Sequence, residues 1–421
     1  MGTERISRGS VEESAEGLEE AMREMGMGHE EESSCHDSHT YGYRYTSPEE
    51  RAETKFQRKA TWEWLKKVGF KIFDGSSLTS ISLPVKVFEP RSFLERLADN
   101  WAYIDYLRRA AEQTDPLERF KLIIAFVVSG LSKQTGQSKP FNPILGETYQ
   151  ATFEGGITVY CEQTSHHPPI SRWEVRDSQG RFDYTGDGSW TAHIRANTAK
   201  GHQEGVNRLH FTADDAEVTW DLPAIHLKNV MWGERTLLYT GEMHFEDKKN
   251  GLSCELVFDP DAKTGGYFAR MFKGKTCPDL LRGDIFQSKP EASGSTPGAK
   301  QKAGTVEGVW LSHLDIEKER VWDIRRAHSH KPTPVDDPLP TDCRFRQDLI
   351  ALKNKDYEEA QMWKEKLEQK QREDEARRKR SVDSTTGSQR QRSSTSKRNS
   401  WKTLNCIHTP AQVNTEPIIS E

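Results

Sequence analysis

Between Ala151 and Phe286 the chain passes through "ITVYCEQ", "ISRWEVRD", "RFDYTGDGSWTAHIRA", "RLHFTADDAEVTWDLP" and "RTLLYTGEMHFED", short aromatic and β-branched segments separated by Gly and Asp. No helical period intervenes, so each segment has its sequence neighbours to pair with, and an antiparallel meander follows. Asn250 and Gly251 in "FEDKKNGLSCELVFD" give the strongest short hairpin signal, a type I′ turn with positive φ at both central residues. This many consecutive strands make a sandwich or a barrel, and a barrel of this size can hold a ligand. "QSKPEASGSTPGAKQKAG", between Gln287 and Gly304, is loop chemistry inside the same domain, and "TVEGVWLSHL" resumes the sheet.

Ahead of the strands lie three stretches with helical spacing. "TWEWLKKVGFKIF", Thr61 to Phe73, sets Trp, Leu, Val and Phe among lysines and reads as a short amphipathic piece suited to covering a surface. "RSFLERLADNWAYIDYLRRAAEQ" places Leu94, Leu97, Trp101, Ile104 and Leu107 on one core-facing side. "DPLERFKLIIAFVVSGL" predicts a buried helix capped by Asp115 and started by Pro116. After the strands, Pro332, Pro334, Pro338 and Pro340 mark an extended link to "DYEEAQMWKEKLEQKQREDEARRKR", a helix so charged that nothing in it needs a core.

The charged share of 30% against an apolar share of 34% is concentrated at the ends. Residues 11 to 32 are mostly Glu, Ala, Met and Gly, and residues 377 to 400 mostly Arg, Lys, Ser, Thr and Gln, compositions that cannot bury enough apolar surface to order themselves. The net charge of −5 thus hides an acidic head and a basic tail. Six scattered cysteines, no CxxC and no secretory signal suit a reducing cytosol. The longest apolar run, Leu122 to Val128, is far below the roughly 20 residues of a membrane span, so membrane contact is expected to be peripheral.

Three clusters could carry chemistry. "CEQTSHHPPIS" sets His166 and His167 against two prolines. Imidazole N–H groups donate to phosphate, or, as readily, to backbone carbonyls; both rings meet one ligand only if the backbone turns there, as the prolines allow. "SKPFNPILGETY" offers Lys139 and Asn142 from a proline-braced loop, either as a plain tight turn or as a grip on an anion. Lys364, Glu368 and Arg372 share one face at i, i+4 and i+8, as an exposed ion-pair ladder or as a carboxylate holding two cations for an anion. No nucleophile with its base and no complete metal-ligand set is present, so neither an enzyme nor a metal or cofactor is expected.

In that order, "LPVKVFEPRSFLERLAD", "KPFNPILGETY", "EQTSHHPP", "LPTDCRFRQD" and "KEKLEQKQR" resemble the oxysterol-binding-protein-related lipid-transfer proteins, from about Leu78 to Arg372. The resemblance implies an α+β, mainly β fold: an incomplete antiparallel β-barrel enclosing a lipid tunnel, with flanking helices and an N-terminal lid. The lid would be residues 61–75, with Trp62, Trp64, Leu65, Val68 and Phe70, inside a lipid-binding domain at 56–376 between an acidic segment, 1–55, and a basic Ser-rich tail, 377–421. It implies phosphatidylinositol 4-phosphate at the tunnel mouth, its phosphate held by Lys139, Asn142, His166, His167, Lys364, Glu368 and Arg372. The exchanged lipid would be phosphatidylserine or a sterol. "EPRSFLERLAD", with Arg91 and Glu95, puts phosphatidylserine ahead. A sensor or scaffold that binds without bulk transfer is the alternative. The expected setting is a cytosolic monomer that meets anionic membrane surfaces at organelle contact sites and takes no nucleic acid. The pattern departs from the family type at Thr164, where valine is commoner, and at Gln137, where a basic residue is frequent. No pleckstrin-homology domain, ankyrin repeat or FFAT motif is evident.

Overall fold

The alternation read from the sequence becomes one 17-stranded antiparallel sheet among the described residues, which in this computed structural model are 42–68, 74–77, 82–258, 279–288 and 300–389. In the strand Ile157–His166 the residues Ile157, Val159, Cys161 and Gln163 turn inward while Thr158 and Thr164 face out, the period of two that a one-sided sheet needs. The strands Phe182–Arg195 and Thr236–Asp247 are long enough to serve several neighbours. The first pairs with Pro169–Asp177 along one side and with Asn207–Phe211 and then Thr198–Glu204 along the other, and this sharing curves the sheet. From the edge at Thr333–Pro334, which pairs with Thr148–Phe153, to the edge at Glu319–Asp323 it does not close on itself among the described residues, so the barrel is incomplete.

Six helices accompany it among the described residues: α1 (Pro48–Val68), α2 (Phe93–Leu97), α3 (Asp105–Ala111), α4 (Pro116–Leu131), α5 (Gln347–Lys353) and α6 (Tyr357–Gln389). α4 begins as the sequence dictates, with Asp115 accepting from the Leu117 N–H at 2.8 Å and Pro116 at its start. Phe120, Ile123, Ile124, Ala125 and Val128 are fully buried, and each large side chain among them contributes about 1.5–3 kcal/mol by leaving water. α4 therefore forms the packed floor of the sheet, against α3 and the strands His313–Ile316 and Glu319–Asp323.

Several expectations change in detail. The 93–111 stretch is two short helices joined by a 3₁₀ turn, Ala98–Trp101, with its apolar side buried as read. The Asn250-Gly251 hairpin exists, but Asp247 pairs with Leu252, leaving a four-residue loop in which Gly251 alone has positive φ. Asp247 takes the Asn250 N–H (3.0 Å) and side-chain amide (2.8 Å) on its carboxylate, which holds Asn250 out of the type I′ conformation. The proline-rich link is extended, and Thr333–Pro334 pairs with Thr152 and Ala151 at the sheet edge. The 55/56 boundary falls inside α1, because Thr54, Gln57 and Ala60 are buried on the same helix as Leu65. α6 does need a core: Ala360 and Lys364 are buried, the latter 4% exposed. Contacts divide the chain into a unit ending at Glu368 and a second from Gln369, so the 376/377 boundary also falls within a helix.

Candidate functional site

A two-stranded parallel ladder outside the main sheet, Phe88–Ser92 with Lys139–Phe141, sets the geometry. It places Lys139 beside Phe88, with the ammonium 4.9 Å from the centre of the Phe88 ring. Lys364 reaches the same ring from α6, at 5.6 Å. One ring with two ammonium groups near it is an attractive but crowded arrangement, since cation–π attraction does not remove the repulsion between like charges. Arg346, just ahead of α5, adds a third cation 5.4 Å from the Phe141 ring.

The three cations are compensated differently. Arg346 donates to Glu147 Oε2 at 2.8 Å and to Asp348 Oδ2 at 2.7 Å; burial alone would lower its pKa, and these two carboxylates raise it instead. Lys364 donates to Glu368 Oε1 and to Ser82 Oγ, both at 2.7 Å. Among the described residues Lys139 donates to neutral oxygens, the Asn142 side-chain carbonyl and the Pro140 carbonyl at 3.3 Å. Burial, and after it the charge of Lys364, pushes its pKa down from 10.5 to about 7, with Glu368 partly opposing. Lys139 is thus a partly buried cation, repelled by Lys364 and Arg346 and opposed only in part by Glu368.

The histidine pair is attached to this centre through the backbone. His166 ends the strand Ile157–His166, the chain reverses over His167 and Pro168, and His166 faces Pro169 across the ladder; the His167–Pro168 peptide is cis. A register shift between Gln163 and Ser165, where Thr164 stands, breaks the strict alternation just before the pair. The two rings lie 4.4 Å apart and tilted by 53°, side by side instead of on opposite faces. Two bonds join this hairpin to the loop that follows Lys139: Gly146 N–H to Gln163 O at 2.8 Å and Gln163 N–H to Glu147 O at 2.9 Å. Glu147 also accepts from the Ile144 N–H (2.9 Å) and the Ser92 hydroxyl, so it organises the whole loop from Asn142 onward.

Of the residues singled out in the sequence, Lys139, Asn142, Lys364 and Glu368 thus converge, and His166 and His167 stand on a hairpin tied to the same loop. Arg372 belongs to the second unit, where its guanidinium donates to Gln369 Oε1 at 3.0 Å. Trp62, Trp64 and Leu65 lie on α1; Leu65 is fully buried with Ile194 and Met231, and the two tryptophans pack against that cluster. Val68 ends α1, and Phe70 lies outside the described residues. Sequence reading missed Arg346 and Ser82. The only signal for Arg346 was its place in the quoted "LPTDCRFRQD" segment.

A second feature is a small interior cleft lined by Trp101, Phe126, Trp173, Tyr184, Gln203 and Trp220, among others. Gly186 opens it: it faces Trp173 across the ladder, and a Cβ there would come within 2.4 Å of the indole. Tyr184 accepts from Trp101 Nε1 (3.3 Å) and donates to Asn207 Oδ1 (2.7 Å), a closed chain of bonds. Gln203 is 3% exposed, and its Oε1 is buried without a hydrogen-bond partner.

The oxysterol-binding protein family model matches residues 62–406. The chain is 39% identical over 327 residues to oxysterol-binding protein 9 of Dictyostelium discoideum, covering 76% of each. It is 31% identical over 290 residues to oxysterol-binding protein-related protein 5 of Mus musculus, over 62% of this chain and 33% of that protein. The Osh3 ORD of Saccharomyces cerevisiae, solved in complex with PI(4)P, matches at 25% identity with a TM-score of 0.59, covering 76% of this chain and 85% of that one. The Osh1 ORD domain in complex with ergosterol shares the fold at 20% identity and a TM-score of 0.59, over 87% and 89%. No helix among the described residues is long and apolar enough to cross a membrane.

Proposed function

The chain belongs to the oxysterol-binding protein family, whose members bind lipid and are not enzymes, and from that premise we propose that it extracts phosphatidylinositol 4-phosphate and exchanges it between membranes for a second lipid. The observation that carries this reading is Lys139, placed with Asn142 and Lys364 beside the Phe88 ring, its pKa lowered to about 7 and its bonded partners among the described residues neutral oxygens. A phosphomonoester seated against it supplies the missing anion, with Asn142 and the His166–His167 pair as donors and Lys364, held by Glu368, as the second charge. The end of α1, with Trp62, Trp64, Leu65 and Val68, and Phe70 beyond it, is proposed as the lid.

Two second lipids are in view. The "EPRSFLERLAD" likeness favours phosphatidylserine, yet Arg91 ion-pairs with Glu89 and Asp99, and neither Arg91 nor Glu95 lines the interior cleft. A sterol is supported by one feature of the interior cleft, Gln203 Oε1, a buried acceptor without a hydrogen-bond partner among the described residues. The test is a transfer assay at substoichiometric protein, with donor vesicles holding both phosphatidylserine and sterol and acceptors holding phosphatidylinositol 4-phosphate. Countertransport of either lipid is expected, and replacing both His166 and His167 with Ala should abolish extraction of the phosphoinositide from a folded chain. Binding without net movement would replace exchange by the sensor reading, and wild-type extraction by the double variant would overturn the site.

A further inference from the structure

The extended segment after the strand Glu319–Asp323 carries His328 and His330, and these meet Glu154, which sits in the turn between the strands Thr148–Phe153 and Ile157–His166. The imidazole nitrogens and the carboxylate oxygen lie within 4.8 Å of one another. The two rings are 4.5 Å apart and nearly perpendicular, at 88°. His330 is the fixed member: its side chain is 7% exposed, and its backbone N–H donates to Ala102 O at 2.7 Å.

His330 Nε2 is 2.8 Å from Asp105 Oδ2, at the start of α3. A carboxylate can only accept, so Nε2 carries the hydrogen there. Arg108 donates to the other oxygen of Asp105 at 3.2 Å, which holds the carboxylate in place. Nδ1 then points the other way, 3.5 Å from Glu154 Oε2. In neutral imidazole that nitrogen is a lone pair facing an anion, which repels unless a positive charge stands between them. A protein carboxylate that fixes one ring nitrogen while the other faces a carboxylate and a second imidazole is the arrangement that orients histidine toward a metal.

We propose that Glu154, His328 and His330 bind a zinc ion, with Asp105 orienting His330 and the fourth position left to water. Two imidazoles and one carboxylate suit a borderline cation such as zinc better than calcium or magnesium, which take all-oxygen ligand sets. Ligand atoms on a tetrahedral zinc with bonds of about 2.1 Å are about 3.4 Å apart, so the cluster must tighten slightly. Glu154 and His328 are both exposed and free of the core, and rotation of their side chains is enough. The ion ties together α3, the Glu154 turn and the segment after the sheet edge, which are far apart in sequence, and so acts as a structural clamp.

The experiment uses the untagged full chain, stripped with a chelator and titrated with zinc by calorimetry, with cobalt as a spectroscopic stand-in. One equivalent should bind, cobalt should give the strong visible absorption of four-coordinate geometry, and zinc should raise the melting temperature. Glu154→Gln and His328→Ala, both at exposed positions, should each weaken zinc by at least about tenfold. His244→Ala is the control, because His244 lies in the separate Glu242–His244–Glu255 group. Absence of stoichiometric binding overturns the proposal. Binding that survives both site variants, or is lost in the control, overturns it equally.

Discussion

Replacing Lys139 with Met is expected to stabilise the unliganded chain while removing its hold on the phosphoinositide. In the folded protein the ammonium sits at about 7 against its ordinary 10.5, through burial first and the Lys364 charge second. Between those two values the unfolded chain binds more protons than the folded one, so stability rises with pH across that window. The penalty is complete below about 7 and relieved as pH climbs toward 10.5. Its ceiling is about 5 kcal/mol. The ammonium keeps some contact with solvent, and substitution also loses the interaction with the Phe88 ring, about 0.5–1 kcal/mol, so a net gain of about 1–2 kcal/mol is the reasonable figure. For a domain of this size that is a rise of about 2 °C in melting temperature.

Calorimetry on both chains reads the first half, and extraction of phosphatidylinositol 4-phosphate from vesicles reads the second, which should fall by at least about tenfold for loss of one charge-assisted contact. A pH series separates the causes. In the wild type, affinity should decline above about 7, as unliganded Lys139 loses its proton, and below about 6, as the phosphate loses its second charge. The Met variant should lack the upper decline. A variant that melts below the wild type would show that Lys139 carries no net strain. Undiminished extraction would show that the phosphate is held elsewhere.

Gln203→Leu removes the orphaned acceptor at nearly constant volume, so it should raise stability by about 1 kcal/mol and weaken sterol binding about tenfold, with phosphoinositide extraction unchanged. Unaltered sterol affinity would remove Gln203 from the ligand site. Leu65→Ala empties part of the small Leu65–Ile194–Met231 cluster at a cost of about 2–3 kcal/mol; hydrogen exchange in α1 should quicken well before the sheet exchanges, and bound lipid should leave faster. Uniform exchange across the chain would make α1 part of the core instead of a movable cover.

What could be read from the sequence was local. Asp115-Pro116 fixes the start of α4 because a cap and its helix are neighbours in the chain, and the inward alternation from Ile157 to Gln163 is a property of one strand. The Asn250-Gly251 turn went astray for a local reason too: Asp247, three residues earlier, competes for the Asn250 donors. The site was legible where a motif is contiguous, as with His166 and His167, and opaque where partners arrive from afar. Arg346 reaches Glu147 across 199 positions, and Lys364 reaches Ser82 across 282. The charge pattern of α6 gave no hint of burial, because Lys364 goes inward on the strength of Phe88, Ser82 and Glu368, two of which lie on another part of the chain. Gln203 was silent because an orphaned acceptor is defined by what surrounds it.

The same long-range logic links the proposed lid to the headgroup. Gln137, where a basic residue is frequent in the family pattern, is occupied with α1: its Oε1 accepts from Thr54 at 2.7 Å, and its Nε2 donates to Glu50 O at 3.0 Å. A cation reaches it all the same, since Arg235 donates to Gln137 Oε1 at 3.1 Å and to Gln57 Oε1 at 2.6 Å. Burial, and after it Arg58, lowers the Arg235 pKa to about 10, and its partners are Gln57 on α1, Gln137 beyond it and the Val230 carbonyl. Gln57 Nε2 also donates to Ser138 Oγ at 2.7 Å, and Ser138 is the residue before Lys139. If α1 lifts, Arg235 loses the Gln57 partner, and Gln137 and Ser138 lose the bonds that set the entry of Lys139 into its ladder. If an anion fixes Lys139, the same bonds are reinforced from the other end. On the proposed function, lid position and headgroup occupancy are two readings of one hydrogen-bond network, and each is then expected to change the other by the same free energy.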